Sequence, residues 1–298
     1  MSSPSSTKKM IRSRDDRIVD AVIHTLLIIL TLFFLFPFLN VLSLSVSESS
    51  HVLKADVLFW PRGLSFMAYE KMLDNITIVQ SFMNTIFVAA VGCICSLIVT
   101  AMAAYPLVFT DVPGKKIYSL MIMLTMWFDG GMVPTFVTVS KYGLVDSLWA
   151  LILLSLVSAY NVMVVKAFYT SLPMSLIEAA RIDGANDPYI LFRIVVPLAK
   201  PVLATVALWI IVGHWNAYLT PTIYLRSAEH YTLQMKLQQL LVGNALDTEA
   251  TAENWQFRGL NEQLKYATVV IAMLPMMVIY PFFQRFFVKG VMIGAVKG

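Results

Sequence analysis

Long apolar runs alternate with short polar breaks along this chain, and the run lengths set the first expectation. A bilayer core about 30 Å thick needs roughly 20 apolar residues per spanning helix. Six segments reach that length, at about 20–45, 80–108, 117–139, 147–169, 201–224 and 264–287. The predicted fold class is therefore an all-α membrane protein with six transmembrane helices. A spanning domain over 20–287 sits between an N-terminal tail, 1–19, and a C-terminal tail, 288–298. The first run is too long for a signal-peptide core and lacks a small-residue cleavage site, so it reads as a span.

Composition supports this. Of the 298 residues, 58% are hydrophobic and 13% charged, against about a quarter charged in soluble domains. The mean hydropathy is +0.72. Of the 22 lysines and arginines, 14 fall in the two tails, in the loops after spans two and four, or at the adjoining ends of spans four and six (Lys166 and Arg285). That bias places both termini and those loops in the cytoplasm. Cys93 and Cys95 lie in an apolar run and read as small hydrophobes.

Several chemistries are missing from the sequence. No G-x-x-x-x-G-K-[ST] phosphate loop occurs, so this chain does not bind ATP by that device. No H-E-x-x-H occurs, and the four histidines form no metal-binding pattern. A membrane-embedded enzyme needs convergent catalytic residues, and none converge in sequence. A stand-alone secondary transporter predicts paired ionisable residues at mid-membrane and internal repeats, and neither is found.

The loop at about 170–200 is the most informative stretch. It reads EAARIDGANDPYILFRIVVPL from Glu178 to Leu198. Pro173 suits the first turn of a helix. Met174 to Ile182 supplies good helix formers. Gly184 suits a C′ position with φ > 0. Asp187-Pro188 reads as an N-cap and first-turn proline of a second helix, which Pro197 and Pro201 interrupt. A nine-residue helix is marginal alone in water and needs a surface to pack on. Ala179 and Ala180 offer a flat patch, flanked by Glu178 and Asp183. From the residues alone, packing on its own bundle and docking on a partner stand about equal.

The spacing Glu178-Ala179-Ala180, three residues, Gly184, nine residues, then Ile194-x-Val196-Pro197 resembles the EAA loop of bacterial ABC-importer permeases. The one departure is Val196 where leucine is usual. Asn84-Thr85, Ala104-Tyr105-Pro106, His214-Trp215-Asn216 and the C-terminal stretches Phe287–Gly290 and Gly294–Gly298 are similar to carbohydrate-type permeases. Asp129–Thr135 with Tyr142-Gly143-Leu144 resembles a branch that imports larger oligosaccharides. The resemblance implies a type I importer permease in the bacterial inner membrane. Its first loop helix would be a coupling helix, with Glu178, Ala179, Ala180, Asp183, Gly184, Ile194 and Pro197 as the coupling residues. Implied partners are two ATP-binding cassette subunits, a second related permease, an extracellular solute-binding protein and a carbohydrate substrate, with no nucleic acid. ATP and Mg would be bound by the cassette subunits, and this chain would hold no cofactor and no catalytic residue. The family alternative is a non-sugar solute.

Polar groups at membrane depth each invite a functional reading. Asp129 precedes Gly130-Gly131 inside the third run; it is either a solute contact or part of a helix break. In the fifth run, Trp209, Gly213, Asn216 and Thr220 share one face at about 100° per residue, with His214 and Tyr218 nearly opposite. An indole and an amide suit a sugar ring and its hydroxyls; helix packing explains the same residues as well. Asn84 is a further pathway candidate or a helix-entry cap. The loop Arg226–Glu262 either meets the binding protein, as the resemblance implies, or is simply solvated.

Overall fold

The computed structural model describes the backbone of residues 14–246 and 255–295 and the side chains of 15, 17–240 and 259–284. The N-terminal lysines, the acidic stretch Asp247–Asn254 and the side chains of the C-terminal glycine motifs lie outside them. Among the described residues the chain is helical, apart from one isolated bridge between Ser47 and Leu64. In order the helices are α1 (Arg14–Ser45), α2 (Ser49–Leu53), α3 (Met67–Asp74), α4 (Ile76–Ala104), α5 (Pro106–Phe109), α6 (Lys115–Leu124) and α7 (Met132–Lys141). They continue as α8 (Leu148–Leu154), α9 (Ala159–Thr170), α10 (Met174–Ile182), α11 (Asp187–Leu198), α12 (Lys200–Asn216), α13 (Leu219–Tyr224), α14 (Leu233–Leu246) and α15 (Trp255–Ala295).

The six predicted runs do not map one for one onto continuous helices. Three helices are continuous, long and apolar enough to cross a bilayer: Arg17–Ser45, Ile76–Phe109 and Gly259–Gln284. Two bent pairs raise the number to five: α8 with α9 at 48°, and α11 with α12 at 83°. The third predicted run is not one helix. It is split into α6 and α7, ten residues each, or about 15 Å apiece. Gly131 forces the split, with φ 84 and ψ 165, a region that essentially only glycine occupies. The fifth run is interrupted as well, because Ala217 is extended and ends α12.

Local chemistry explains the other boundaries. Asn75 caps α4 by accepting from the amides of Thr77 and Ile78. Ser147 and Ser158 cap α8 and α9 by the same device. The second loop helix is capped by Asn186, not Asp187, since Asn186 Oδ1 accepts from the Tyr189 amide at 3.0 Å. Asp187 and Pro188 then fill its first turn, where a missing N–H costs nothing.

The chain forms two compact units. In one, Met1–Ala68 with Glu253–Val270, Leu44, Val52 and Val57 pack with Tyr266. Gln263 is fully buried there; it donates to the carbonyls of Ser45 and Ser65 and accepts from Ser49 Oγ at 3.0 Å. In the other unit α4 is the central helix and touches α8, α9 and α12. Its buried face carries Ser81, Asn84, Thr85, Ser96 and Thr100. A polar stripe on a membrane helix belongs against protein, not lipid.

Candidate functional site

The loop after α9 begins with α10, whose nine residues present two faces. Ile177 and Ala180 are buried; Glu178, Ala179 and Ile182 are exposed. Ile177 joins a core with Tyr105, Phe109, Tyr169, Ile190 and Val195. Burying one such side chain stabilises by about 1.5–3 kcal/mol, which supplies the support a short helix lacks in water. The exposed face keeps Ile182 at 86% of its full accessibility.

The helix closes as a Schellman motif. Gly184 N donates to Arg181 O and Ala185 N to Ala180 O, both at 3.0 Å. Gly184 takes φ 81, so it occupies the expected left-handed C′ position. Arg181 then ties the turn to the membrane helices. Its Nη2 donates to Phe109 O at 2.6 Å and to Asp187 Oδ1 at 3.3 Å. Tyr105 donates to the same Asp187 oxygen at 2.8 Å. Burial works against the Arg181 charge, but Asp187 and Tyr105 outweigh it and hold the guanidinium above its usual range. Asp183 caps α10, while Ile194 lies in a π-helical stretch, Ile190–Val195, ahead of exposed Pro197. Ala180, Asp183, Gly184 and Ile194 share one open concavity with Tyr189 and Arg193. Four of the seven residues predicted from sequence thus share this concavity; Glu178, Ala179 and Pro197 are exposed outside its lining.

A cavity of about 390 Å³ opens between α4, α8, α9, α12 and α13. Trp209, Gly213 and Thr220 line it, as the helical face predicted. Asn216 is not among its lining residues; it is exposed and donates to Val212 O at 3.0 Å. His214, expected on the far side, does line the cavity. Its Nε2 lies 3.3 Å from Ser155 Oγ. The ring fits because Gly92 on α4 faces it: a Cβ there would lie 2.5 Å from Nε2. Gly213, by contrast, has nothing within 4 Å of where a Cβ would be. Sequence reasoning missed Asn161, Ser158 and Thr232, which also line the cavity. Their elements are distant in sequence, and no local pattern marks them.

Asn84 and Asp129 sit elsewhere. Asn84 is buried inside α4, well past the cap, and donates to the carbonyls of Glu229 at 2.7 Å and Tyr231 at 3.1 Å. Asp129 is exposed between α6 and α7 and accepts from the Gly131 amide at 3.2 Å.

Asn84 is one anchor of the segment 225–233, and the neighbouring Thr85 Oγ1, which accepts from the Leu233 amide at 2.8 Å, is a second. A third is Asp146, a non-glycine residue at φ 64. Its Oδ1 accepts from the amides of Arg226 and Ser227, each at 2.9 Å, and the Ser227 hydroxyl donates to Oδ2. The Ser227 hydroxyl first, then the Ser227 and Arg226 amides, hold this carboxyl far below the usual carboxylate range. A depressed folded pKa contributes stability above the unfolded value near 3.8, lost only as pH falls through the lowered value. Protection of the Arg226 and Ser227 amides from hydrogen exchange, corrected for intrinsic rate, should therefore be the same at pH 7 and pH 5. Asp146→Gly keeps the backbone conformation and removes the acceptors. It should lower that protection about tenfold; unchanged protection would refute the clamp.

Residues 81–293 match the family described as "Binding-protein-dependent transport system inner membrane component". A Bacillus subtilis polygalacturonan/rhamnogalacturonan transport system permease protein, YtcP, is 34% identical over 95% of this chain and 99% of its own. The Bacillus subtilis arabinooligosaccharides transport system permease protein AraQ is 30% identical, over 90% and 92%. A solved bacterial ABC transporter involved in the import of the acidic polysaccharide alginate has a chain that superposes with a TM-score of 0.83. That chain is 32% identical and covers 93% of this one and 99% of itself. With the motif, the helical fold and matches that span nearly the whole length in agreement, the chain belongs to the family of binding-protein-dependent transport system inner membrane components.

Proposed function

We propose that this chain is the permease subunit of an ATP-driven importer for an oligosaccharide, working by alternating access. The observation that carries the reading is α10: a short helix with an exposed face, closed at Gly184 and tied through Arg181 to Phe109 and Asp187. Such a helix transmits a push from outside to α5 and α11 with little slack. Two separate cassette subunits hydrolyse ATP and seat on α10 at Glu178, Ala179 and Asp183. A second, related permease completes the pathway. A solute-binding protein meets the segment fixed by Asp146 and Asn84. Both termini lie in the cytoplasm, and this chain performs no covalent chemistry. The carbohydrate class draws on the relatives, whose names are those of saccharide transport systems.

Solute-dependent ATP hydrolysis tests the reading. The complex is purified through a tag on this chain, placed in liposomes and supplied with its binding protein. Hydrolysis should rise severalfold with one class of oligosaccharide. Hydrolysis indifferent to every saccharide would remove the carbohydrate assignment.

A further inference from the structure

The saccharides named for the relatives divide into two chemical classes. Polygalacturonan and alginate carry a carboxylate on their sugar units, whereas arabinooligosaccharides are neutral. Similarity alone does not choose between them, but the cavity lining does.

Among the described residues, no Asp, Glu, Lys or Arg lines the cavity. The polar groups there are Thr85, Ser155, Ser158, Asn161, Thr220 and Thr232, with His214 the one titratable side chain. The His214 ring is held against Ser155 Oγ at 3.3 Å, so its Nε2 already has a partner. A carboxylate entering this site would lose water and meet no cation, which is heavily penalised. Sugar hydroxyls would meet hydroxyl and amide partners of their own kind. Thr232 adds an independent sign. It is 3% exposed, and its hydroxyl has no hydrogen-bond partner among the described residues. Trp209 supplies an apolar face that remains 39% exposed, its ring 5.5 Å from that of Tyr160. An aromatic face with neutral hydrogen-bonding groups suits an uncharged ring.

We propose that this cavity selects an uncharged sugar unit and discriminates against uronates. The inference rests on the oligosaccharide reading above and narrows it. Specificity here comes from leaving a carboxylate unpaired rather than from a bond that only the neutral sugar makes.

The test uses the whole complex at pH 8, above the ordinary imidazole pKa of about 6.5. Cys93 and Cys95 are replaced by alanine, and Thr220→Cys places one thiol on the cavity wall. The readout is the rate of maleimide labelling. The probes are trigalacturonate, trimannuronate and an arabinotriose, with the carboxyl-reduced form of each acidic trimer. Within each acid and reduced pair, linkage and length are fixed and only charge differs. At least one neutral probe should slow labelling, at about a tenfold lower concentration than any acid. In a second variant, Gly213→Lys brings a cation where a Cβ has open space, and it should move the preference toward the acids. If an acid protects as well as its reduced form before the lysine is added, the charge selection is wrong but the cavity remains the solute site. If no probe slows labelling, the cavity is not the solute site and the inference falls with it. Solute-stimulated ATP hydrolysis by the same complex then shows separately whether the importer reading survives.

Discussion

Replacing Gly184 with valine should leave membrane insertion intact and cut solute-stimulated ATP hydrolysis about tenfold. The reason is confined to the backbone. Gly184 sits at φ 81, and a Cβ built there meets nothing within 4 Å. The space would accept a side chain; the conformation would not. An L-residue held left-handed costs roughly 1–2 kcal/mol, and β-branching makes this worse. The cheapest escape is to open the two turn bonds, Gly184 N to Arg181 O and Ala185 N to Ala180 O. That frays the end of α10 where Arg181 reaches Phe109 and Asp187. The helix would still pack through Ile177 but would no longer transmit a push. Gly184→Asn is the control, because asparagine tolerates this conformation and should retain most of the coupling. Equal loss in both variants would mean the glycine matters for some reason other than its φ.

Gly92→Leu should destabilise the fold by about 1–3 kcal/mol. Here the obstacle is steric and the backbone is ordinary helix. A Cβ at position 92 would lie 2.5 Å from His214 Nε2 and 3.1 Å from the two neighbouring ring carbons. Either the ring leaves Ser155 or α4 and α12 move apart. Adding His214→Ala to Gly92→Leu should recover much of the loss, because the added side chain then takes the volume of the ring. Thermal denaturation of the complex in detergent, run on both single variants and the double, measures that coupling. Additive losses would show that the ring and the glycine do not share one space.

Much of the loop at about 170–200 was legible because its determinants are local. Good helix formers, Gly184 and Pro188 lie within a few residues of each other, and each fixes its own backbone. The cap slipped by one residue because asparagine and aspartate compete equally for it, and only the Asn186 bond to the Tyr189 amide decides. The break in the third run was legible in the Gly130-Gly131 pair, but hydropathy alone, which ignores the backbone state at Gly131, still counted the run as one span. The cavity was half legible. A helical wheel grouped Trp209, Gly213 and Thr220 correctly. It assumed a straight, evenly packed α12, however, and so put His214 outside and Asn216 in. The close approach at Gly92 brings the imidazole back, and that partner lies more than a hundred residues away in sequence. The same distance hid the anchoring of 225–233, where Asn84 and Asp146 act across 80 to 147 residues. Local reading has no access to such pairs.

The central claim is that α10 is where an ATP-hydrolysing partner meets this chain. Site-directed cross-linking from its two faces tests that most directly. In membranes, Ala179→Cys on the exposed face should form a cross-link to a cassette subunit, and its yield should change when ATP binds. Ile177→Cys, on the buried face, should not cross-link. The account is contradicted if Ala179→Cys captures no ATP-hydrolysing subunit, or if both faces label it alike.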